Sequence, residues 1–359
     1  MNNRTTTTLQ LRLQLPGEKR LTPAHPGISI ANKTKLIPTV AFDTYWRFAA
    51  ERQRIFFKRA AGLPGPWTSD PILSRFRFTN VYRAADRVSQ YLISEVQYSD
   101  SQDLRTIFFR TLLFKLFNKI ETWELLKSSH GEPRPDPQIA KIYSATLDSA
   151  TAAGKTIYSA AYIMPSGAGL YGLRRKHQMH LALLSQMLKE GVPERIGDCR
   201  TMKEMFDLLR AIPTFGDFLA YQFAIDINYS SMTNFDENEF VMPGPGARSG
   251  IRKCFSNIGD YGESDVIRWM VDHQEEQFAL RGIRFQTLWG RRLHLIDCQN
   301  LFCEVDKYCR VFHPDLQGTS ARSRIKQEYQ LNPAPLTFWF PPKWHLELGM
   351  PPTHINRTA

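Results

Sequence analysis

Two segments of this chain carry polar side chains where an apolar face is expected. From Asp217 to Tyr229 nearly every residue is apolar, which predicts burial on most sides. Yet Gln222, Asp226 and Tyr229 stand at i, i+4 and i+7 and share one helical face. From Leu293 to Phe312, Asp297, Asn300, Glu304 and Lys307 line one strip beside an apolar side of Cys298, Leu301, Phe302, Val305, Cys309 and Phe312. A carboxylate in apolar surroundings needs a partner or a pocket. Two readings stay open: caps and ion pairs, with Glu304 and Lys307 joined across a turn, or the lining of a site. Arg52 poses the same choice. It interrupts the stripe Tyr45, Phe48, Ala49, Ile55 and Phe56, so its guanidinium either pairs internally or faces a ligand.

A second set of residues suits an anionic ligand that carries rings. The run Phe76 to Arg87 mixes Phe76, Phe78 and Tyr82 with Asn80, Arg83 and Arg87, types that stack on bases and grip phosphates. Phe76 and Phe78 suit a core equally well. The run Pro243 to Lys253 is the other. Gly244 and Gly246 let a backbone approach a ligand, and Arg248, Arg252 and Lys253 bring charge to a new helix start. No Gly-Lys-Ser/Thr follows there, so this is not a nucleotide phosphate loop. A rigid Gly/Pro connector is the competing reading. Arg174-Arg175-Lys176-His177 forms a further basic cluster, at an edge facing nucleic acid or at a solvated end.

The elements that must position these residues are helices. One is expected over Met202–Ala211 and another over Asp217–Tyr229, joined by Ile212-Pro213-Thr214-Phe215-Gly216. Pro213 cannot continue the first. Gly216 is expected to give the turn its freedom, and Asp217 to cap the second helix. Free amides at that start favour a phosphate beside Thr214 and Gly216. The spacing of Ile212, Pro213, Gly216 and Ala220 resembles the helix-hairpin-helix of DNA glycosylases; an ordinary helical hairpin is the alternative. Further helices are expected over 39–61, up to about Val96, over 103–127, 138–153, 171–190, 265–280 and 293–312. The segment 157–164 is unassigned, and 285–289 reads as a short strand or irregular link. The fold class expected is mainly α, with few or no strands. Residues 1–36 read as a mobile basic arm, 37–345 as one helical domain and 346–359 as a tail.

Bulk properties narrow the class. An apolar content of 42% supports a real core. No run of 18 apolar residues exists, so no membrane span or membrane partner is expected. No apolar leader opens the chain, which places it in cytoplasm or nucleus. A net charge of +11 fits a polyanionic partner. The five cysteines give no secreted framework, and Cys298, Cys303 and Cys309 read as buried thiols, so no metal or other cofactor is expected.

Several stretches together resemble one family: Tyr45-Trp46-Arg47-Phe48 with Glu51-Arg52, Pro66 to Leu73, Phe78-Thr79-Asn80-Val81-Tyr82-Arg83, Asp226-Ile227-Asn228-Tyr229-Ser230, Gly244-Pro245-Gly246-Ala247, and Ile296-Asp297-Cys298 with Cys303 to Tyr308. They resemble the α-glutamyl/putrescinyl thymine pyrophosphorylases, the helical-domain family of 5-hydroxymethyluracil DNA kinases, over residues 38 to 345. The resemblance implies a glycosylase-like helical fold and DNA base hypermodification. It implies double-stranded DNA with a pyrophosphorylated 5-hydroxymethyluracil as substrate, and an amine donor, amino acid or polyamine, that replaces pyrophosphate. Because no kinase motif occurs here, a separate kinase would supply the phosphorylated base.

On that premise Trp67, Phe78 and Tyr82 stack on a flipped base and Asn80 reads its edge. Gln222, Tyr229, Asn300 and Lys307 line the pocket. Arg52, Arg83, Arg87, Arg248 and Lys253 receive the leaving pyrophosphate. Asp226, Glu304 or Asp297 takes the proton of the incoming amine. Two alternatives remain. A monofunctional glycosylase would use Asp226 or Asp236 on the glycosidic bond; the site just after Gly216 is Asp217-Phe218, without the lysine of lyases. A non-catalytic DNA-binding module would use none of these acids.

Overall fold

The computed structural model describes residues 35–160, 164–167, 170–331 and 337–349. Most of the proposed arm and most of the tail therefore lie outside the described residues, as does part of 157–164. Within them the chain is almost entirely helical. It opens with β1 (Ile37–Pro38), α1 (Val40–Ala60), α2 (Pro71–Arg75), a 3-10 turn (Arg83–Ala85) and α3 (Arg87–Tyr91), which widens into a π-turn (Leu92–Gln97). There follow α4 (Leu104–Phe117), α5 (Ile120–His130), α6 (Ile139–Ala152), α7 (Lys176–Lys189), α8 (Val192–Gly197), α9 (Met202–Arg210) and α10 (Asp217–Tyr229). The last elements are α11 (Pro245–Cys254), β2 (Phe255–Asn257), α12 (Glu263–Asp272), α13 (Gln274–Leu280), α14 (Leu295–Phe312) and a 3-10 turn (Pro342–Trp344). β1 and β2 pair antiparallel and form the one sheet among the described residues.

Local chemistry sets several helix starts. Thr39, Asp70 and Asp103 accept hydrogen bonds from the first free amides of α1, α2 and α4. Thr201 caps α9 by accepting the Glu204 N–H, and the Glu204 carboxylate accepts the Arg200 N–H just ahead of the helix. Two expected helices are divided. Asn118 adopts a left-handed conformation (φ 48°) and splits 103–127 into α4 and α5. His273 separates α12 from α13. The expected 171–190 helix starts only at Lys176, so Arg174 and Arg175 precede it.

Two helix pairs matter most for the site. α9 and α10 form the expected hairpin, but its turn works differently from the expectation. The left-handed residue is Thr214 (φ 73°), whereas Gly216 is extended (φ −78°, ψ 173°) and is itself the N-cap. Asp217 is the first helical residue and its carboxylate pairs with Arg210. A β-branched residue at positive φ is strained by about 1–2 kcal/mol, and the Thr214 hydroxyl is buried without a hydrogen-bond partner. Glycine removes both costs and adds only about 0.5–1 kcal/mol of chain entropy. Thr214→Gly is therefore expected to raise Tm by about 1–3 °C in a thermal melt; a lower Tm refutes the strain argument.

The second pair is α11 on α14. A Cβ on Gly246 would lie 2.9 Å from Cys303 Sγ, and one on Gly250 only 2.0 Å from the Phe302 carbonyl oxygen. These glycines let two backbones touch. α1 packs onto the same core helix, with the Tyr45 hydroxyl donating to the Cys298 carbonyl at 3.1 Å. Cys254, Cys298 and Cys309 are buried free thiols, as expected for Cys298 and Cys309, while Cys303 is half-buried against Gly246. No helix among the described residues is long and apolar enough to cross a membrane.

Candidate functional site

Residues 76–86, between α2 and α3, run between the two polar strips seen in the sequence. On one side the loop enters a buried network. Arg83 donates from Nη1 to Asp226 Oδ1 at 2.7 Å and from Nε to Gln222 Oε1 at 3.1 Å. Its guanidinium lies 5.6 Å from the Tyr229 ring centre. Lys115, from the apolar α4, places Nζ 3.2 Å from Asp226 Oδ2. So α10 does present Gln222, Asp226 and Tyr229 on one face, and that face is closed by α4 and the loop. Burial pushes the Asp226 carboxyl up, but Arg83 and Lys115 pull it further down, and it stays ionised below the usual carboxylate range.

Asp297 pins the loop to α14. Its Oδ1 accepts the Arg83 backbone N–H at 3.0 Å and its Oδ2 accepts that of His294 at 3.1 Å. Burial raises this carboxyl to about 7. Further in, Glu237 takes Arg291 Nη2 and Trp344 Nε1, both at 2.8 Å. Lys343 donates to the carbonyls of Asn228, Ser230 (2.9 Å) and Thr233 (2.6 Å), where α10 ends. Burial lowers its ammonium to about 7. This set terminates the helix that holds Asp226.

On the other side the loop borders a cluster that is only half-buried. Glu304 Oε2 accepts the Thr79 N–H at 3.0 Å and Lys307 Nζ at 2.7 Å. Lys307 Nζ also sits 4.5 Å from the Phe78 ring centre. Arg52 reaches in from α1. Its Nη2 donates to the Phe78 carbonyl at 3.4 Å, and its Nη1 is buried with no hydrogen-bond partner among the described residues. Asp86 accepts the Asn80 N–H on Oδ1 at 2.7 Å, and burial raises its carboxyl to about 6 although Arg52 lies within electrostatic reach. Asn80 Nδ2 closes the turn on the Ala85 carbonyl. Arg52, Asp86, Glu304 and Lys307 thus bring two cations and two carboxylates together beside a surface that Thr79 leaves exposed.

Several sequence expectations are corrected by this geometry. Asp226 is sealed between two cations, and Asp297 is tied to two amides, so neither presents a free base. Tyr82 is buried, donating to the Arg291 carbonyl and accepting from Leu288 N–H. Phe78 is covered by Lys307, Phe48 and Tyr308. Neither ring is open to stack on a base. Trp67 keeps a partly exposed face, with Arg59 over it. Arg83 serves Asp226 rather than a phosphate. Lys253 is buried against Asp306 at 3.2 Å, and Gly244 and Gly246 meet Phe218 and Cys303, so that loop packs rather than cradles an anion. Arg87, Arg248 and Arg252 are exposed, and Asn300 is half-buried near Glu304 on α14.

Asp86, Lys115, Glu237 and Lys343 escaped the sequence reading. Lys115 gave the signal that Arg52 gave, a charge inside an apolar helix. Asp86 gave only a polar residue six positions after Asn80. The tripeptide Gly154-Lys155-Thr156 has the ending of a phosphate loop, but it follows the C-terminus of α6, and Thr156 receives Lys119.

A family profile described as "5-hmdU DNA kinase, helical domain" matches residues 39–318. A curated relative from Bacillus phage SP10, named 5-hmdU DNA kinase, is 26% identical over 287 residues. That match covers 74% of this chain and 44% of the relative, so the chain spans less than half of the relative's length. No solved structure matches.

Proposed function

The chain belongs to the family of the 5-hmdU DNA kinase helical domain, and from this premise we propose that it modifies a thymine-type base in double-stranded DNA. One helical domain over 37–345 takes up a base flipped out of its duplex. The base is 5-hydroxymethyluracil already pyrophosphorylated by a separate kinase. The exocyclic carbon–oxygen bond breaks and pyrophosphate leaves with its electrons. The nitrogen of an amino acid or polyamine bonds to that carbon and gives up a proton. The balance closes with substituted base, pyrophosphate and one proton.

One observation carries this reading: a buried guanidinium nitrogen of Arg52 without a partner, beside the Asp86 and Glu304 carboxylates. A departing pyrophosphate needs a cation where its charge grows. An incoming ammonium needs a base, and Asp86, raised to about 6, is poised for that near neutrality. Trp67 and Phe76 are only half-buried, with Arg59 and Arg75 over their rings, and are the candidates for stacking that Phe78 and Tyr82 are not. At Phe76 a groove of about 490 Å³ is lined by Arg75, Arg324 and Lys326 with Glu328 as its acid, a surface suited to a DNA backbone. The exposed Arg87 and the hairpin turn at Thr214 and Gly216 are further candidates for strand contacts.

The test is direct. Duplex DNA bearing the pyrophosphorylated base is incubated with the protein and glutamate or putrescine, and its nucleosides are weighed by mass spectrometry. A heavier base still in the strand supports the proposal. Free base with an abasic site means a glycosylase, and unchanged DNA means a binding module.

The pH profile follows from Asp86. It accepts a proton only when ionised, so the transfer rate is expected to rise through an inflection near pH 6. In Asp86→Asn that inflection disappears, and only the smooth rise from the amine's own deprotonation remains. An inflection that survives the substitution removes Asp86 from the role.

A further inference from the structure

Two polar groups on distant parts of the chain are buried and unmatched, and both residues are tied to the segment 75–78, Arg52 through the Phe78 carbonyl and Tyr329 through the Arg75 carbonyl. One is Arg52 Nη1, and the other is the hydroxyl of Tyr329. Tyr329 lies within electrostatic reach of Arg52, although 277 positions separate them and Tyr329 stands beyond the matched family region 39–318. A buried donor left unsatisfied costs stability, so each of these groups calls for an acceptor, and an anion bound beside the segment 75–78 could serve both.

We propose that Arg52 Nη1 and the Tyr329 hydroxyl together form a subsite for an oxygen of a phosphoryl group, with the segment 327–329 as its closing wall. The proposal deepens the function suggested above and rests on it only for the source of the anion, the pyrophosphate that leaves the base. Arg59 lies within electrostatic reach of Arg52 as a further cation, and Lys307 is joined to the neighbouring Glu304. Asp86 and Glu304 are the neighbouring acids; Lys307 and the Thr79 amide already occupy Glu304.

The wall is lightly tethered. Arg77 N–H donates to the Gln327 carbonyl at 3.0 Å and Tyr329 N–H to the Arg75 carbonyl at 2.8 Å. Phe76 and Glu328 form a single bridge, and the Arg75–Glu328 pair at 3.3 Å is exposed on both sides. Two backbone bonds and a solvated ion pair open readily. The segment lifts to admit the phosphorylated group and returns to place the hydroxyl on it.

Inorganic pyrophosphate is the probe, titrated calorimetrically into the full chain. Tyr329→Phe keeps the ring and removes the donor, and is expected to weaken binding about tenfold with an unchanged Tm. Arg52→Gln is expected to abolish it. Adding inorganic phosphate in parallel separates a one-phosphoryl subsite from one that needs both. Equal affinity in wild type and Tyr329→Phe overturns the proposal, as does no binding of pyrophosphate by a protein that still performs the transfer. Binding lost in both variants, in a protein found to excise bases instead, upholds the subsite and overturns only the transferase reading.

Discussion

Asp226→Asn is expected to cost about 3–5 kcal/mol of folding stability and to lower Tm by about 10 °C. The neutral amide takes away the carboxylate that pairs with two buried cations, Arg83 at 2.7 Å and Lys115 at 3.2 Å. Domains are stable by only about 5–15 kcal/mol, so the loss consumes a large fraction. Adding Lys115→Met to Asp226→Asn removes one stranded charge and is expected to recover at least about 1 kcal/mol. The pH dependence has a definite sign. The folded Asp226 has a depressed pKa, so its contribution is present above the ordinary carboxylate value of about 4 and is lost as pH falls below it. Thermal melts of both variants check this. An unchanged Tm with lost activity would return Asp226 to the role of an accessible catalytic acid.

Gly250→Ala is the second large effect. The added carbon would stand 2.0 Å from the Phe302 carbonyl oxygen and 3.0 Å from its Cα, both backbone atoms in the middle of α14. No rotamer relieves such an overlap, so α11 and α14 must separate. Overpacking costs about 1–3 kcal/mol in most cores and more against backbone, so a loss of about 3 kcal/mol and about 6–12 °C is expected. Gly246→Ala meets Cys303 Sγ at 2.9 Å, the end of a side chain that can turn away, and is expected to cost less. Equal melting points for the two variants would refute the close-approach explanation.

The helical class, the α9–α10 hairpin and the shared face of Gln222, Asp226 and Tyr229 were legible because they rest on local periodicity. Arg52 was legible for the same reason, as a charge within an apolar stripe. What periodicity does not carry is the identity of a partner far along the chain. Nothing near Asp226 announces Lys115, which approaches from another helix, and nothing near Arg52 announces Tyr329. Glycines were the other blind spot. Gly246 and Gly250 look alike in a loop that binds phosphate and in a helix pressed on a helix; only the opposing backbone distinguishes them. The hairpin turn shows the converse, since Thr214 holds the conformation that Gly216 was expected to take.

The three carbonyls gathered by Lys343 set an order on how this protein comes into being. The ammonium arrives 113 positions after Ser230, one of the residues that it secures. At about 5–20 residues per second, a nascent chain would wait about 6–23 s between making the centre of the molecule and making the residue that fastens it. During that interval water must stand in for the missing cation.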